Sequence, residues 1–227
     1  GAGQWRGGMG LILRLRFLND GTSVLGRGLE RFVFRPYGSA GGQPGANCRV
    51  VLNMGRPDEK RLGKIDELFV KPGDILTIMT AGGGGYGHPF DRDPELVLYD
   101  VQSGLVDADV ARDTYGVIVE DDMLDAKATE DHRAQNRKDA PAFDFGPERH
   151  AWEQIFDDET ATEFALRLQQ LPASSRQAAR QAIIAEVLPK LADLNAHGII
   201  GVVEDPEAQK AYLKQLMDER LPVLDTI

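Results

Sequence analysis

The chain has 227 residues, a length that suits one large domain or two small ones, and 42% hydrophobic residues with 27% charged can bury a core. Its net charge of -10 repels nucleic acid and anionic membrane surfaces, and no apolar run approaches the roughly 18 residues of a membrane span. The single cysteine, Cys48, excludes an internal disulfide and fits a reducing, cytoplasmic setting.

Charge is unevenly spread. Residues 1–90 carry a balance of +5 and residues 91–227 a balance of -15. The basic part can face phosphate or carboxylate groups, the acidic part of its own chain, or an acidic neighbouring chain. Glycine is divided in the same way, with twenty of the 25 at or before residue 87.

The chain opens on Gly1-Ala2-Gly3-Gln4-Trp5-Arg6-Gly7-Gly8-Met9-Gly10. It has no initiating methionine, so either the start was cut or the sequence belongs to a larger parent. Arg6 among these glycines can clamp an anion with two donors, or make an ion pair or cap a carbonyl; the second reading is preferred. In Leu11–Phe17 the odd positions are apolar, while Arg14 and Arg16 point the other way, the period of a strand. Arg31–Arg35, Cys48–Asn53, Lys64–Val70 and Asp74–Thr80 read as further strands between Gly, Pro and Asp turn signals.

From Asp93 the pattern becomes helical. Asp93 caps a helix starting at Pro94 and ending before Gly104, and Asp107 starts a second that stops at Gly116. Helices are expected over Asp125–Arg137, Pro147–Phe156 and Thr160–Leu171. A longer one, Ser175–Leu194, is bent at Pro189, and the last runs from Asp205-Pro206 to about Arg220. Asp121-Asp122 reads as a solvated turn, and Asn136–Gly146, with Pro141, as a linker. The predicted fold is therefore α+β: a glycine-rich antiparallel β region over 1–90, short helices over 91–140 and a helical C-terminal extension over 141–227.

Ala81-Gly82-Gly83-Gly84-Gly85-Tyr86-Gly87-His88-Pro89 is the most distinctive stretch. Gly82, Gly84 and Gly87 match the spacing of a dinucleotide loop, but no helix opens directly from it, and His-Pro stands where a phosphate loop needs Lys-Ser/Thr. Two readings remain. The glycines supply positive φ in a tight turn, or they let a backbone pass close to another surface, a ligand or a partner. On the turn reading, Gly84→Ala is tolerated if φ there is negative. Gly82, Gly83, Gly84, Gly85, Tyr86 and Gly87, with Arg6, are the candidate substrate or interface residues. His88, His132, His150 and His197 share no helical metal-ligand spacing, and no nucleophile stands beside a base. No catalytic residue or metal ligand is therefore assigned.

An ordered set of motifs carries a resemblance. It comprises Gly1–Gly8, Gly41-Gly42-Gln43-Pro44-Gly45-Ala46, Lys71-Pro72-Gly73-Asp74, Gly82–Pro89, Arg92-Asp93-Pro94-Glu95, Asp100–Val106 and Tyr115-Gly116-Val117. Together they resemble the C-terminal region of the hydantoinase B/oxoprolinase family over about residues 1–137. Phe143–Arg149 and the helices beyond it resemble an extension found on some hydantoinase-type members.

The resemblance implies a segment of the B subunit of an ATP-dependent cyclic-amide hydrolase that is inactive alone. Its implied partners are the rest of the B subunit and an A-type subunit that binds ATP and Mg and phosphorylates the amide oxygen. It also implies a small cyclic-amide substrate and a divalent metal bound upstream of Gly1. Related acetone and acetophenone carboxylases activate a ketone in the same way, so the corresponding carboxylase subunit is one alternative. A non-catalytic assembly module is the other.

Overall fold

The computed structural model describes residues 1–193 and 199–224. The chain divides into two units, Gly1–Gly146 and Pro147–Ile227.

In the first unit β1 (Ile12–Arg16), β2 (Thr22–Gly26), β3 (Gly38–Ser39), β4 (Arg49–Leu52), β5 (Lys60–Leu62), β6 (Ile65–Val70) and β7 (Ile75–Met79) come in chain order. Four of them form an antiparallel sheet in the order β1-β7-β4-β5. β2 and β6 pair separately, with a register shift between Val24 and Gly26. Apolar residues of β4, β6 and β7, with Cys48, meet in one cluster of Cys48, Val50, Leu52, Ile65, Val70 and Leu76. Asn53 ties this sheet to its turns. It adopts φ 55, its amide donates to Asp58 and Asp74, and its oxygen accepts from the Ile75 N–H. Asparagine tolerates that left-handed conformation better than most residues.

One strand expectation is borne out with an unexpected exposure, and one needs correction. Leu11–Phe17 does contain a strand, but its alternation marks no buried face: Leu11, Leu13 and Leu15 are 64%, 47% and 46% exposed. Arg31–Arg35 is not a strand at all. Arg31 has φ 64, and the Phe32 and Val33 carbonyls accept from the Asn47 side chain instead of a neighbouring strand.

The rest of this unit is helical around Val97, Ala111, Tyr115 and Val117. A short 3-10 turn, Pro89–Asp91, leads to α1 (Pro94–Gln102), α2 (Ala108–Tyr115) and α3 (Ala126–Asn136). Asp93, Asp107 and Asp125 cap them by accepting from the backbone N–H of Glu95, Val110 and Ala128, as their positions in the sequence predict. Gly116 closes α2 in the left-handed conformation. Between β8 (Val119–Glu120) and β9 (Met123–Leu124), Asp121 and Asp122 take φ 48 and 58, the two-residue hairpin turn that matches strand twist. The segment read as a linker contains β10 (Phe143–Asp144), which pairs antiparallel with β3.

The second unit holds α4 (Pro147–Glu153), α5 (Asp158–Gln169), α6 (Ala173–Val187), a 3-10 turn (Pro189–Asp193) and α7 (Pro206–Arg220). Their apolar faces bury Ile155, Phe156, Phe164, Leu168, Ile183, Val187, Leu188, Leu213, Leu216 and Met217. Here too one expectation fails, because the long helix is broken at Pro189 rather than bent. Proline disfavours helical backbone in the residue before it, and Leu188 sits at φ -127, ψ 69. Leu194 and His197 lie outside the described residues.

Candidate functional site

Gly82–Gly87 runs between two other glycine-bearing segments. On one side the Trp5 and Tyr86 backbones exchange both hydrogen bonds at 2.9 Å, Gln4 N–H donates to the Gly87 oxygen, and Gly83 N–H donates to the Gly8 oxygen. On the other, Ser39 N–H donates to the Gly85 oxygen, Gly85 N–H to the Gln43 oxygen, and Gly87 N–H to the Ser39 oxygen. Gln43 N–H reaches the Ala2 oxygen and closes the triangle. Three segments of the chain thus bond pairwise, which satisfies backbone groups that no regular sheet covers.

Such a bundle has no room for side chains. A Cβ at Gly84 would lie 1.8 Å from the Tyr37 oxygen, at Gly85 1.9 Å from the Ala2 oxygen, and at Gly7 2.1 Å from the Gly83 oxygen. At Gly42 and Gly45 it would meet the Gly85 and Gly82 oxygens at 2.2 Å. Within Gly82–Gly87, only Gly87 has positive φ. Gly84 and Gly85 are therefore explained by close approach to this chain's own backbone, and Gly87 by its positive φ. The expectation that a negative φ makes Gly84→Ala harmless is overturned by the Tyr37 oxygen.

Arg6 is spent on an internal carboxylate. Its Nε and Nη2 donate to both Asp100 oxygens at 2.9 and 3.1 Å, and Arg92 Nη2 donates to the same group at 3.0 Å. Asp100 is 2% exposed and lies on α1 one turn from buried Val97. This carboxylate therefore ties the N-terminal segment to the helical part of the unit. Its hydrogen bond is the main reason the Arg6 guanidinium is held above its ordinary pKa. Arg92 also stacks over the Tyr115 ring, 6.0 Å from its centre, and burial pushes the Tyr115 hydroxyl up.

The side chains the bundle presents are aromatic. Trp5 and Tyr86, directly opposite each other, are 62% and 57% exposed. Tyr37 packs against Phe143 and Phe145 at 6.1 and 5.6 Å between ring centres, and all three are exposed. Beside the bundle lies a groove of about 430 Å³, lined among others by Gln43, His88, Asp113, His132 and Lys138. The His88 ring is engaged through both nitrogens. Nδ1 accepts from the Phe90 N–H at 3.0 Å, which leaves Nε2 to donate to the Lys138 oxygen at 2.9 Å. Among the described residues no three His, Cys, Asp or Glu side chains gather as a metal site.

The structure brings six of the seven candidates, Gly82–Gly87, into one strand of the bundle and turns Arg6 away into the Asp100 pair. Asp100 and Arg92 do not stand among the candidate residues. Their signal was an acidic residue three positions after Val97 on a face that must be apolar, a placement that requires a buried cation.

Comparison with known proteins agrees with the glycine pattern. Residues 1–89 match the family model described as Hydantoinase B/oxoprolinase. The chain is 34% identical over 142 residues to the caprolactamase subunit beta of Pseudomonas jessenii, a match covering 59% of this chain and 24% of that one. It is 33% identical over 97 residues to the 5-oxoprolinase of Saccharomyces cerevisiae, covering 38% of this chain and 7% of that protein. Among solved structures, the crystal structure of ATP-dependent caprolactamase from Pseudomonas jessenii aligns with a TM-score of 0.45 at 35% identity, over 59% of this chain and 24% of that one. The chain thus spans about a quarter or less of the length of these relatives.

Proposed function

We propose that this chain, which carries a hydantoinase B/oxoprolinase family segment at residues 1–89, is a C-terminal segment of the B-type subunit of an ATP-dependent cyclic-amide hydrolase. The observation that carries the reading is that the whole three-chain glycine bundle falls inside the matched residues. The substrate class is a small lactam, hydantoin or 5-oxoproline. ATP and Mg belong to an A-type partner subunit, and a divalent metal to the part of the B subunit that this chain does not span. Transfer of the ATP γ-phosphoryl group to the amide oxygen, with ADP leaving, would make the ring carbon electrophilic; one water then adds as the C–N bond breaks and the nitrogen takes a proton, and a second water releases phosphate from the acyl phosphate.

This chain's own part is structural and recognitional. A bundle with no side chains inside it is stiff, because each segment is hydrogen-bonded to the other two. It fixes the position of Trp5 and Tyr86 at the subunit seam or the edge of a composite active site. The free, buried Cys48 suits a cytoplasmic assembly.

The test compares the isolated chain with the parent B subunit assembled with its A-type partner. Each is supplied with ATP and, in turn, a lactam, a hydantoin and 5-oxoproline. ATP-dependent ring opening by the assembly alone is the expected result. Turnover by the isolated chain overturns the reading, and carboxylation of a ketone without ring opening replaces it with the carboxylase assignment.

A further inference from the structure

The open edge of β1 combines three features. The first is its backbone. The Leu11 oxygen accepts from the Thr80 N–H and the Phe17 N–H donates to the Asp74 oxygen, and the antiparallel register continues through Leu13↔Ile78 and Leu15↔Leu76. Hydrogen-bonded pairs alternate in such a ladder, so the N–H and C=O groups of Ile12, Arg14 and Arg16 point away from β7. β1 is an edge strand, and among the described residues no strand other than β7 pairs with it. The second feature is apolar. Leu13 and Leu15 share a face with Ile78, Leu76, Val50 and Leu52, which belong to or pack on the core, yet they remain about half exposed. The third is charge. Register places Arg14, Arg16, Arg49 and Arg61 on the opposite face of the same sheet, all exposed, with Arg61 3.8 Å from the Glu59 carboxylate. A long apolar edge of this kind is normally covered or blunted in a free-standing sheet.

We propose that β1 accepts an extended segment of another polypeptide, in which apolar residues alternate with Asp or Glu, as an added strand beside Ile12–Arg16. Its backbone fills the outward N–H and C=O groups, its apolar row extends the Leu13/Leu15 row, and its carboxylates face the arginines. The described acidic residues of Pro147–Leu224 lie mostly on or beside helices, which offer no strand edge. A second copy of the chain fits poorly. Pairing two β1 edges puts Arg14 and Arg16 opposite, or next to, the same arginines of the other copy.

The experiment follows residue-resolved amide exchange in the 227-residue protein with a synthetic ten-residue peptide of alternating valine and glutamate. The N–H groups of Ile12, Arg14 and Arg16 slow at least tenfold, whereas those of Leu13 and Leu15, already in the β7 ladder, change little. A valine–lysine peptide gives no protection. Ile12→Pro keeps both arginines and removes no β1–β7 hydrogen bond, because the Ile12 N–H faces outward, and it abolishes the peptide effect at Arg14. Four results overturn the proposal: no protection, equal protection by the lysine peptide, undiminished binding to Ile12→Pro, or concentration-dependent protection without peptide, which means self-pairing.

Discussion

The carbonyl oxygen of Tyr37 occupies the place where a side chain on Gly84 would begin, 1.8 Å from an ideal Cβ. Gly82, two residues earlier in the same segment, has its nearest neighbour, the Gly8 oxygen, at 3.4 Å. Neither has positive φ, so alanine at the two sites differs in packing alone. We expect Gly84→Ala to destabilise the first unit by about 3 kcal/mol or more, as overpacking against backbone does, and Gly82→Ala to change stability by less than about 1 kcal/mol. Urea unfolding of the two variants checks this. Equal midpoints would refute close packing as the reason for the glycines.

Asp100 is the shared acceptor of Arg6 and Arg92, and Arg92 is itself 7% exposed. Removing the carboxylate with Asp100→Ala strands a buried guanidinium, which costs on the order of 3–5 kcal/mol. Arg6→Lys keeps the charge but loses the two-pronged geometry, and about 1 kcal/mol is expected. Chemical denaturation of both variants should rank them in that order. A smaller loss for Asp100→Ala than for Arg6→Lys would mean that solvent reaches the pair.

Much of the helical part was legible in the sequence because its signals are local. Asp93, Asp107, Asp125 and Asp205 each accept from the first turn of the helix they were read to start, and Gly104 and Gly116 close theirs. The β part was legible only where a strand lies inside the sheet. β1 has the right period and no buried face, because its apolar row overhangs the core, and no pattern within one strand records what covers it. Arg31–Arg35 alternates like a strand, yet Asn47, twelve residues beyond, takes its carbonyls. The glycine bundle was visible as an anomaly, but its cause depends on pairing residues about 40 and 80 positions apart. Asp100 was hidden for the same reason: both of its cations lie outside its helix.

Asp157 caps α5 by accepting from the Thr160 N–H and receives a hydrogen bond from Lys210 on α7. The Lys210 bond first, and the Thr160 N–H second, hold its carboxyl well below the ordinary carboxylate range. A depressed folded-state pKa gives stability that is present above the unfolded value, about 3.9, and is lost as the pH falls below it. Asp157→Asn keeps a capping oxygen but not the charge. Its thermal midpoint should therefore fall below the wild type at pH 6, and the gap should close as pH drops below about 4. A gap independent of pH would exclude the ion pair as its origin.

Tyr86 and Trp5 differ from every other part of the bundle in being large, exposed and held by backbone alone. Their main-chain hydrogen bonds survive any side-chain change, and exposed rings contribute little to folding. Tyr86→Ala and Trp5→Ala should accordingly leave the urea midpoint within about 0.5 kcal/mol of the wild type. If the proposed function holds and the bundle presents these rings at a seam or an active-site edge of the proposed assembly, that assembly responds differently. Tyr86→Ala should lower its turnover at least tenfold, either through weaker association of the subunits or through a lower kcat at saturating partner, and titration of the A-type subunit separates the two. Tyr86→Phe then isolates the hydroxyl. A loss in Phe as large as in Ala assigns the effect to a hydrogen bond, and a loss only in Ala assigns it to the ring. Full turnover in both variants would reduce Gly82–Gly87 to a scaffold whose glycines serve only the packing of their own chain.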